Sequence, residues 1–486
     1  MRRSLLFAAA LVLPLNAGAQ SGRGLIDKVA AAMGGAKQIL AVKTLTLRGT
    51  GQNYSLGQNK TPDDDLPVYA VTKYVRLLNF AKSQWRQDQT REPRFPTSNM
   101  NPQRQRAGFD GVAYDITSDT SMRLVSARAT IDRRAELLYH PVGFLQIALA
   151  PGAKIVEEAK RGEFRRVRLD YNGERYTMLV DPRTMLPAQI DRTIPNSTLG
   201  DVVLSNEFPK WYVTSDIRVP IEIIQKVDGQ WPLTDIQLDG VKVNGDELDI
   251  SIPESVKNSE LTTIPVTVTV DSVAPGVWFL AGGSHNSVAI EMKDHLILVE
   301  APQSDERTLA VIQKAQSIRP NKPLRAVINT HHHFDHSGGI RAALSKGLTI
   351  YTHAENKPFF EDLARRRFTI LPDALAKSPR HVNIDPVVAK RTLRDESRSI
   401  ELYEVEGTRH SDSMLMVYLP AEKLLIEADL FTPPAPNLAG LIPMPFAADL
   451  VHEIDRQGLN VERILPIHGR VVPVGDLRSA VSSGKQ

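Results

Sequence analysis

Residues 324–339, LRAVINTHHHFDHSGG, run from an apolar segment directly into four histidines and an aspartate. The short apolar run 324–329 is typical of a buried β-strand. In the extended chain that follows, side chains two residues apart point to the same side, so His331 and His333 can bind one metal ion together. His332 points the other way and is expected to pack or to support its neighbours. The stretch therefore predicts a metal site at the end of a strand.

The second half of this stretch supplies ligands for another ion. Asp335 and His336 follow where the chain turns into a helix, and Gly338 and Gly339 let the backbone turn tightly beside the site. Neutral imidazole and carboxylate suit zinc, with manganese or iron as alternatives. The chain has no cysteine, which excludes disulfides, thiolate ligands and a thiolate nucleophile.

Three later residues extend the cluster, each at or just after the end of a predicted strand. His410 follows the strand 400–404, Asp429 lies just after the strand 423–427, and His468 follows a strand that begins near residue 463. A lone histidine or aspartate at such a place is more often structural. Their order after the first motif makes the set informative, because loops at strand ends commonly carry functional residues.

These motifs resemble those of the metallo-β-lactamase fold superfamily, and they are the strand from Asp294 to Glu300, the block from His331 to Gly339, and then His410, Asp429 and His468. The resemblance covers roughly residues 266–475, just under half of the chain. It implies an α/β fold, a four-layer αβ/βα sandwich, that binds two divalent metal ions, zinc first. One departure is Glu300, where the family usually has an aspartate; we expect Glu300 to support the active-site loop rather than bind metal.

The resemblance also implies a role for each residue. His331, His333 and His410 would hold the first metal ion, Asp335, His336 and His468 the second, and Asp429 would bridge the two. His285 and His353 are further candidates, for lining the mouth of the site or contacting substrate.

The implied mechanism is hydrolysis in a dinuclear site. A hydroxide bridging the two ions would attack an ester, lactone, thioester or amide carbonyl, with Asp335 orienting the nucleophile and moving its proton. A phosphodiesterase or sulfatase could use the same site. β-Lactamase activity is less favoured, because β-lactamases of the superfamily commonly have cysteine or serine where Asp429 stands. A di-iron oxidoreductase is disfavoured by His333, and a non-enzymatic protein that binds an apolar ligand is a further alternative.

The N-terminal half has a different pattern. Residues 1–19 combine two early arginines, an apolar run and small residues before a cleavage point near Ala19, which predicts a signal peptide and a periplasmic or secreted protein, by the general or the twin-arginine route. Residues 20–262 alternate in short strands with Asn-Gly and Asp-Gly turns, which predicts a mainly antiparallel β domain. Three segments, at 31–51, 176–187 and 241–253, resemble periplasmic lipoprotein-carrier half-barrels. Residues 263–486 form the predicted hydrolase domain.

Composition limits the partners. Of 486 residues, 59 are Lys or Arg and 56 are Asp or Glu, a net charge of +3 with no long basic run. We therefore expect a small-molecule substrate and no nucleic-acid partner. No segment after the signal peptide reaches about 18 consecutive apolar residues, so no membrane span is expected. The oligomeric state stays open.

Overall fold

The computed structural model describes residues 22–97, 99–119, 121–245, 250–261, 265–434 and 444–483. The predicted signal peptide, residues 1–19, lies outside the described residues and stays a prediction. The described helices are too short or too polar to cross a membrane.

The N-terminal half is an antiparallel sheet with helices. Its elements are α1 Arg23–Ala32, α2 Ala36–Ala41, β1 Thr44–Tyr54, β2 Val68–Asn79, β3 Gln84–Pro93, β4 Gln103–Asp110, β5 Val112–Ser118, β6 Ser121–Leu124, α3 Ala127–Ala135, α4 Pro141–Leu149, β7 Lys154–Arg161, β8 Phe164–Tyr171, β9 Glu174–Val180, β10 Pro187–Asn196, β11 Gly200–Glu207, β12 Trp211–Thr214, β13 Ile217–Pro220, β14 Glu222–Val227, β15 Trp231–Val243 and α5 Glu254–Lys257. Over the described part of this half, thirteen strands pair in the order β6-β5-β4-β3-β2-β1-β15-β14-β11-β10-β9-β8-β7, and β12–β13 form a separate hairpin. The predicted antiparallel β domain is confirmed.

Strand β1 bends at the centre of this sheet. Its pairing with β15 shifts register between Arg48 and Gly49, and its pairing with β2 shifts between Gly49 and Gly51. A Cβ at either glycine would collide with a carbonyl oxygen of β15. Glycine is therefore required where the two strands approach most closely, and such bulges bend a sheet.

Helix α4 fills the space against this sheet. Phe144 and Leu145 are fully buried in a core that also contains Leu47 of β1 and Leu25 of α1. Two separate helices lie here: α3 ends at Ala135, and α4 begins at Pro141, with proline in its first turn. Proline favours the first turn of a helix and disrupts an interior, which explains the break.

His140 caps α4 and provides a pH-dependent term in stability. Its Nδ1 accepts a hydrogen bond from Val142 N (3.3 Å), its Nε2 has no hydrogen-bond partner, and burial lowers its pKa from 6.5 to about 3. Below pH 6.5 the unfolded chain therefore takes up a proton that the folded chain refuses. Stability that is present above pH 6.5 is lost as the pH falls towards 3, by about 1.4 kcal/mol per pH unit.

The variant His140→Asn keeps a capping side chain but removes this titration. We expect the free energy of unfolding of metal-free protein to fall less steeply between pH 6 and pH 4, by about 1.4 kcal/mol per pH unit, than in the parent chain. Urea titrations at several pH values measure this difference. His452→Asn, at an exposed histidine of the C-terminal half, is the matched control. Equal slopes for His140→Asn and the parent would contradict the assignment.

The C-terminal half alternates strands and helices. Its elements are β16 Thr269–Ala274, β17 Val277–Ala281, β18 Ser287–Glu291, β19 Leu296–Val299, α6 Asp305–Ile318, β20 Leu324–Ile328, α7 Phe334–Ser337, α8 Ile340–Ser345, β21 Thr349–His353, a 3₁₀ turn Ala354–Asn356, α9 Lys357–Arg365, α10 Ala374–Lys377, β22 Ile384–Val387, β23 Lys390–Arg394, β24 Ser399–Glu404, β25 Leu415–Leu419, β26 Leu424–Glu427, α11 Ala447–Arg456, β27 Arg463–Pro466, β28 Val472–Pro473 and α12 Val474–Ser483. Two sheets result within the described residues, β16 to β22 and β23 to β28, each in sequence order.

Strand β19 shows how the layers are stacked. Ile297 and Val299 join a core shared with the second sheet, whereas Leu296 and Leu298 join the core that contains α6 and α8. Successive side chains of a strand point to opposite faces of the sheet. The β16–β22 sheet therefore lies between the β23–β28 sheet and a layer of helices that contains α6 and α8. Residues of α11 and α12 pack with the second sheet. The predicted four-layer αβ/βα arrangement is confirmed.

Within the described residues, hydrogen bonds join the two halves at the segment after α9 and at the β1–β2 loop. The last strand of the N-terminal sheet, β15, ends at Val243, and the first strand of the C-terminal half, β16, begins at Thr269. The predicted domain boundary at 262/263 falls between these two strands. It stays a prediction, because residues 262–264 lie outside the described residues. Asp201 of β11 accepts hydrogen bonds from the segment after α9, where Thr369 N lies 2.7 Å from Asp201 Oδ2. The second contact is made by the β1–β2 loop, residues 55–67, on the face that carries the predicted metal site.

Candidate metal centre

The predicted ligands lie on loops that follow the ends of the two facing sheets. After β20 the chain stays extended as far as His333 and then enters the short helix α7. Asn329 N donates to Tyr351 O of the neighbouring strand (2.8 Å), which holds the start of this loop against the sheet. His331, His333 and His336 are buried, with 2% or less of each residue exposed. The loop thus fixes three imidazoles in the interior.

Two groups of candidate ligands form there. The first contains His331, His333, His410 and Asp429, and the second contains His285, Asp335, His336 and His468. Within each group one nitrogen or oxygen atom per residue lies within 4.8 Å of all the others. The seven predicted ligands thus come together in space, although they are spread over residues 331–468.

Asp429 lies between the two groups. Its Oδ2 is 3.3 Å from His331 Nε2 in the first group and 2.6 Å from His336 Nε2 in the second. Its Oδ1 is 3.0 Å from His468 Nε2. A carboxylate in this position can bind an ion on each side, which is the bridging arrangement that the sequence resemblance implied.

The donor atoms fit metal ions better than they fit each other. His410 Nε2 lies 3.3 Å from His331 Nε2, and His468 Nε2 lies 3.1 Å from His336 Nε2. Two nitrogens that each lie 2.0–2.1 Å from a tetrahedral zinc ion are separated by about 3.3 Å, so both pairs have the spacing of ligand pairs. His333 Nδ1 is buried without a hydrogen-bond partner, and Asp429 Oδ2 lies within 3.4 Å of imidazole nitrogens of His331, His336 and His410. Such atoms are explained if a cation lies among them.

Oxygen atoms on the far side hold three of these imidazoles. His336 Nδ1 donates to Glu300 Oε2 (2.8 Å), and His468 Nδ1 donates to the carbonyl oxygen of Ser284 (2.9 Å). His331 Nδ1 lies 3.0 Å from the hydroxyl of Thr330. Each contact leaves Nε2 facing the centre. Contacts of this kind fix the tautomer and the orientation of metal-binding histidines.

Glu300 occupies the supporting position expected from the sequence. It is fully buried, and its second carboxylate oxygen accepts a hydrogen bond from Thr330 N (2.7 Å). Glu300 therefore connects the strand β19 to the ligand loop through both oxygens and belongs to neither ligand group.

The electrostatics of the site favour neutral imidazole at two ligands. Burial, together with the neighbouring histidines, holds the pKa of His331 and His333 well below the ordinary value, so both rings are neutral at pH 7 and can bind a cation. Burial also opposes charge on His336, but the carboxylates of Asp429 and Glu300 outweigh it and raise the pKa of His336. Asp429 and Glu300 therefore favour a positive charge at this position, and a bound metal ion would supply that charge.

The structure places the other three histidines considered from the sequence, His285, His353 and His332, in different surroundings. His285, expected at the mouth of the site, lies inside the second group, with Nε2 3.2 Å from Asp335 Oδ2. His353 was a candidate for substrate contact, and the structure does not bring it to either group. Its Nδ1 accepts from Glu355 N (3.4 Å) and its Nε2 lies 3.4 Å from a carboxylate oxygen of Glu404, because it caps the turn that follows β21. His332 also belongs to neither group, and lies 3.3 Å from the hydroxyl of Ser413.

Two groups of residues contribute to the site without having been predicted from the sequence. The β1–β2 loop places Gln58 and Asn59 against the ligands, and nothing in their local sequence signals this. Glu427, at the end of β26, is buried next to Asp429, and burial raises its pKa from 4.5 to about 8, with the charge of Asp429 adding to the shift. A carboxylate two residues before a predicted ligand was the available signal.

A cavity of about 980 Å³ opens onto the two groups. Its walls come from both halves of the chain, with the β1–β2 loop on one side and residues 430–434 and 444–446 on the other. His333, Asp335, His410 and Asp429 face it. A small molecule bound there would therefore contact the candidate metal centre.

Comparisons with known proteins agree with this site. The model of the metallo-beta-lactamase superfamily matches residues 280–468. The 2,4-dinitroanisole O-demethylase subunit alpha of Nocardioides sp. (strain JS1661) is 26% identical over 181 residues, which are 35% of this chain and 49% of that protein. The chain thus spans about half the length of the curated relative it matches.

Solved structures of metallo-beta-lactamases are similar to part of this chain at lower identity. A metallo-beta-lactamase from Pontibacter korlensis is 16% identical, with 45% of this chain and 100% of that chain covered and a TM-score of 0.34. One from Hirschia baltica is 19% identical, with 44% and 97% covered and a TM-score of 0.33. The model of the metallo-beta-lactamase superfamily thus matches residues 280–468 of the C-terminal half, and this match supports a metal-dependent hydrolase.

Proposed function

We propose that the chain is a dinuclear metal-dependent hydrolase of a small ester, lactone, thioester or amide. The observation that carries the proposal is the pair of His/Asp groups joined by Asp429, which offers ligands for two ions and a carboxylate between them. When bound, two divalent ions would lower the pKa of a shared water and polarise the carbonyl oxygen of the substrate. Zinc fits the nitrogen and oxygen donors, and manganese or iron are alternatives.

The chain's own residues supply a group that can orient the attacking water. Asp335 Oδ1 accepts a hydrogen bond from Gln58 Nε2 (2.8 Å), and Asp335 Oδ2 lies 3.2 Å from His285 Nε2. The carboxylate is therefore held from both sides. Burial disfavours its charge, but the hydrogen bond from His285 and the nearby His336 outweigh burial and lower its pKa. Asp335 is thus ionised and can accept a hydrogen bond from a water molecule, which orients that water for attack.

Other bonds could be cleaved in the same place. A phosphodiester or sulfate ester would use the same ligands. Activity on β-lactams is less favoured by Asp429 at the bridging position, and binding of an apolar ligand without catalysis would leave the intact ligand set unexplained. The O-demethylase relative is named for an aryl methyl ether, which adds that bond to the compounds worth testing.

Metal content and a substrate panel test the proposal. We expect about two zinc, manganese or iron ions per purified chain, measured by mass spectrometry of the metals. Hydrolysis of one member of a panel should disappear on chelation and return with metal. The panel contains an ester, a lactone, a thioester, an amide, a β-lactam, a phosphodiester, a sulfate ester and an aryl methyl ether. Fewer than one ion per chain after reconstitution with each metal would rule the mechanism out.

A further inference from the structure

The β1–β2 loop leaves the N-terminal sheet and lies directly on the candidate metal centre. Three backbone carbonyls of this loop accept hydrogen bonds from the other half of the chain. Gly57 O accepts from Phe334 N (3.2 Å), Asn59 O from His333 Nε2 (2.9 Å) and Lys60 O from Asp412 N (2.9 Å). The contact is thus made by the backbone of the loop, which ties its position to the ligand segment.

The loop is braced to hold this shape. Asn59 is buried, and its side-chain amide donates to the carbonyl oxygens of Pro62 (2.9 Å) and Asp64 (3.2 Å) within the same loop. Gly57 has φ +76°, and a Cβ there would collide with the ring of Phe334. Glycine therefore permits both the backbone conformation and the close approach to the ligand helix.

The carbonyl of Asn59 selects the tautomer of His333. A carbonyl oxygen only accepts, so the hydrogen bond places the ring proton on Nε2 and leaves the lone pair on Nδ1. That Nδ1 is the buried nitrogen without a partner, and it belongs to the first ligand group. His331, His336 and His468 are held at Nδ1 by residues of the C-terminal half, whereas His333 is held at Nε2 from the N-terminal half.

The adjacent residue acts on the second group. Gln58 Nε2 donates to Asp335 Oδ1 at 2.8 Å. Two neighbouring residues of one loop thus orient one ligand of each group. Hydrogen-bond partners of metal ligands typically contribute 10- to 100-fold to metal affinity or activity.

The same loop forms a wall of the cavity. Leu66, Tyr69 and Phe95 line it from the N-terminal half, and Leu430 and Phe446 line it from the other side. The two cations at its edge are already paired, Lys60 with Asp412 (3.2 Å) and Arg409 with Asp449 (3.3 Å). An uncharged, apolar group fits these surroundings, because it gains burial without losing hydration of a charge.

We propose that the β1–β2 loop of the N-terminal domain completes the active site: it positions His333 and Asp335 for the metal ions and selects substrates with a bulky apolar or aromatic group beside the scissile bond. The substrate part rests on the proposed function, whereas the positioning part concerns metal binding alone. Gln58 and the Asn59 backbone are positioning groups.

Two matched pairs of full-length variants test the positioning. Gly57→Ala would push the loop off Phe334, and its control Gly111→Ala imposes the same backbone strain at φ +73° where a Cβ meets nothing within 4 Å. Gln58→Leu removes one hydrogen bond at nearly constant volume, with the exposed Gln230→Leu as its control. Zinc affinity is measured by competition with a chromogenic chelator. We expect about a tenfold loss in Gly57→Ala and Gln58→Leu and no change in the controls.

Equal zinc affinities within each pair would overturn the positioning role, and Gln58→Leu decides if Gly57→Ala does not fold. The substrate part is tested with 4-nitrophenyl benzoate and 4-nitrophenyl acetate. We expect kcat/KM to favour the benzoate by at least about tenfold in the parent chain and this ratio to fall in Gly57→Ala but not in Gly111→Ala. Hydrolysis with no preference, or with a preference that Gly57→Ala leaves intact, overturns it. No hydrolysis of any panel compound would instead defeat the proposed function, and the zinc comparison would still decide the positioning.

Discussion

Asp429→Asn is expected to lose about one metal ion per chain and to reduce kcat by on the order of 10³-fold, about 4 kcal/mol in the activation free energy. Asp429 is the one carboxylate within reach of histidines from both ligand groups, at 3.3 Å from His331 and 2.6 Å from His336, among the residues that the structure describes. Asparagine has nearly the same shape but no negative charge, and its amide nitrogen cannot bind a cation. The ion that depends most on the bridge should therefore dissociate first.

Stability separates this effect from misfolding. Burial disfavours the charge of Asp429, and the surrounding histidines His336, His410 and His468 offset that cost and lower its pKa. The charge of Asp429 therefore stabilises the metal-free fold, so metal-free Asp429→Asn should be less stable than the parent, and circular dichroism tests whether it remains folded. Asp455→Asn is the control, because Asp455 is an exposed aspartate of the same domain that pairs with Arg478 (2.6 Å). If Asp429→Asn kept two ions and the parent rate, Asp429 would not be the bridge.

The candidate ligands could be found in the sequence because each of them lies at or just after the end of a strand. His331, His333, Asp335 and His336 are consecutive or nearly so, and the geometry of an extended chain relates them before any fold is known. His410, Asp429 and His468 each follow an apolar run. Loops at strand ends gather at one edge of the sheets, so a shared site was plausible from the pattern, and the resemblance to the metallo-β-lactamase superfamily supplied the assignment of the ligands.

What could not be predicted depends on contacts between distant parts of the chain. Gln58 and Asp335 are 277 residues apart, and His285 and Asp335 are 50 apart. A glutamine that contacts a metal ligand has no local sequence pattern that distinguishes it from a glutamine that is exposed to solvent. The loop's place is decided by how the antiparallel sheet docks on the other domain, which is a matter of tertiary packing.

The position of the edge strand β16 also differs from what its hydrophobic pattern suggests. The strand β16 spans Thr269–Ala274, although the alternating valines begin at residue 266. Val266, Val268 and Val270 alternate as in a half-buried strand, but the register is set by pairing with β17, in which Val270 lies opposite Leu280. Hydrophobic pattern alone specifies an edge strand weakly, because one side of it lacks a partner.

Glu300→Gln is expected to weaken binding of the ion in the second group by 10- to 100-fold, about 1.4–2.7 kcal/mol. The Glu300 carboxylate accepts two hydrogen bonds, from Thr330 N (2.7 Å) and from His336 Nδ1 (2.8 Å). Glutamine offers one oxygen, so its amide group must face one of these donors. His336 would then lose either its orientation or its preferred tautomer.

Chelator competition followed by metal analysis measures this loss. At a chelator concentration at which the parent retains both ions, Glu300→Gln should retain about one. Glu291→Gln is the matched control: Glu291 lies on the neighbouring strand β18 and pairs with Arg319 (3.0 Å), away from the ligands. Metal-free Glu300→Gln should also unfold more easily, by about 1–3 kcal/mol, because a buried donor is left without an acceptor.

The two readouts separate support of the ligand from support of the fold. A carboxylate that only braced the strand β19 would change the urea midpoint of the metal-free chain and leave the affinity of the folded chain for zinc unchanged. A carboxylate that orients His336 must change the affinity, because Nε2 of that ring lies between His468 and Asp429, at 3.1 Å and 2.6 Å. Unchanged zinc affinity in Glu300→Gln would therefore assign Glu300 to the fold and leave the orientation of His336 to the metal ion and Asp429.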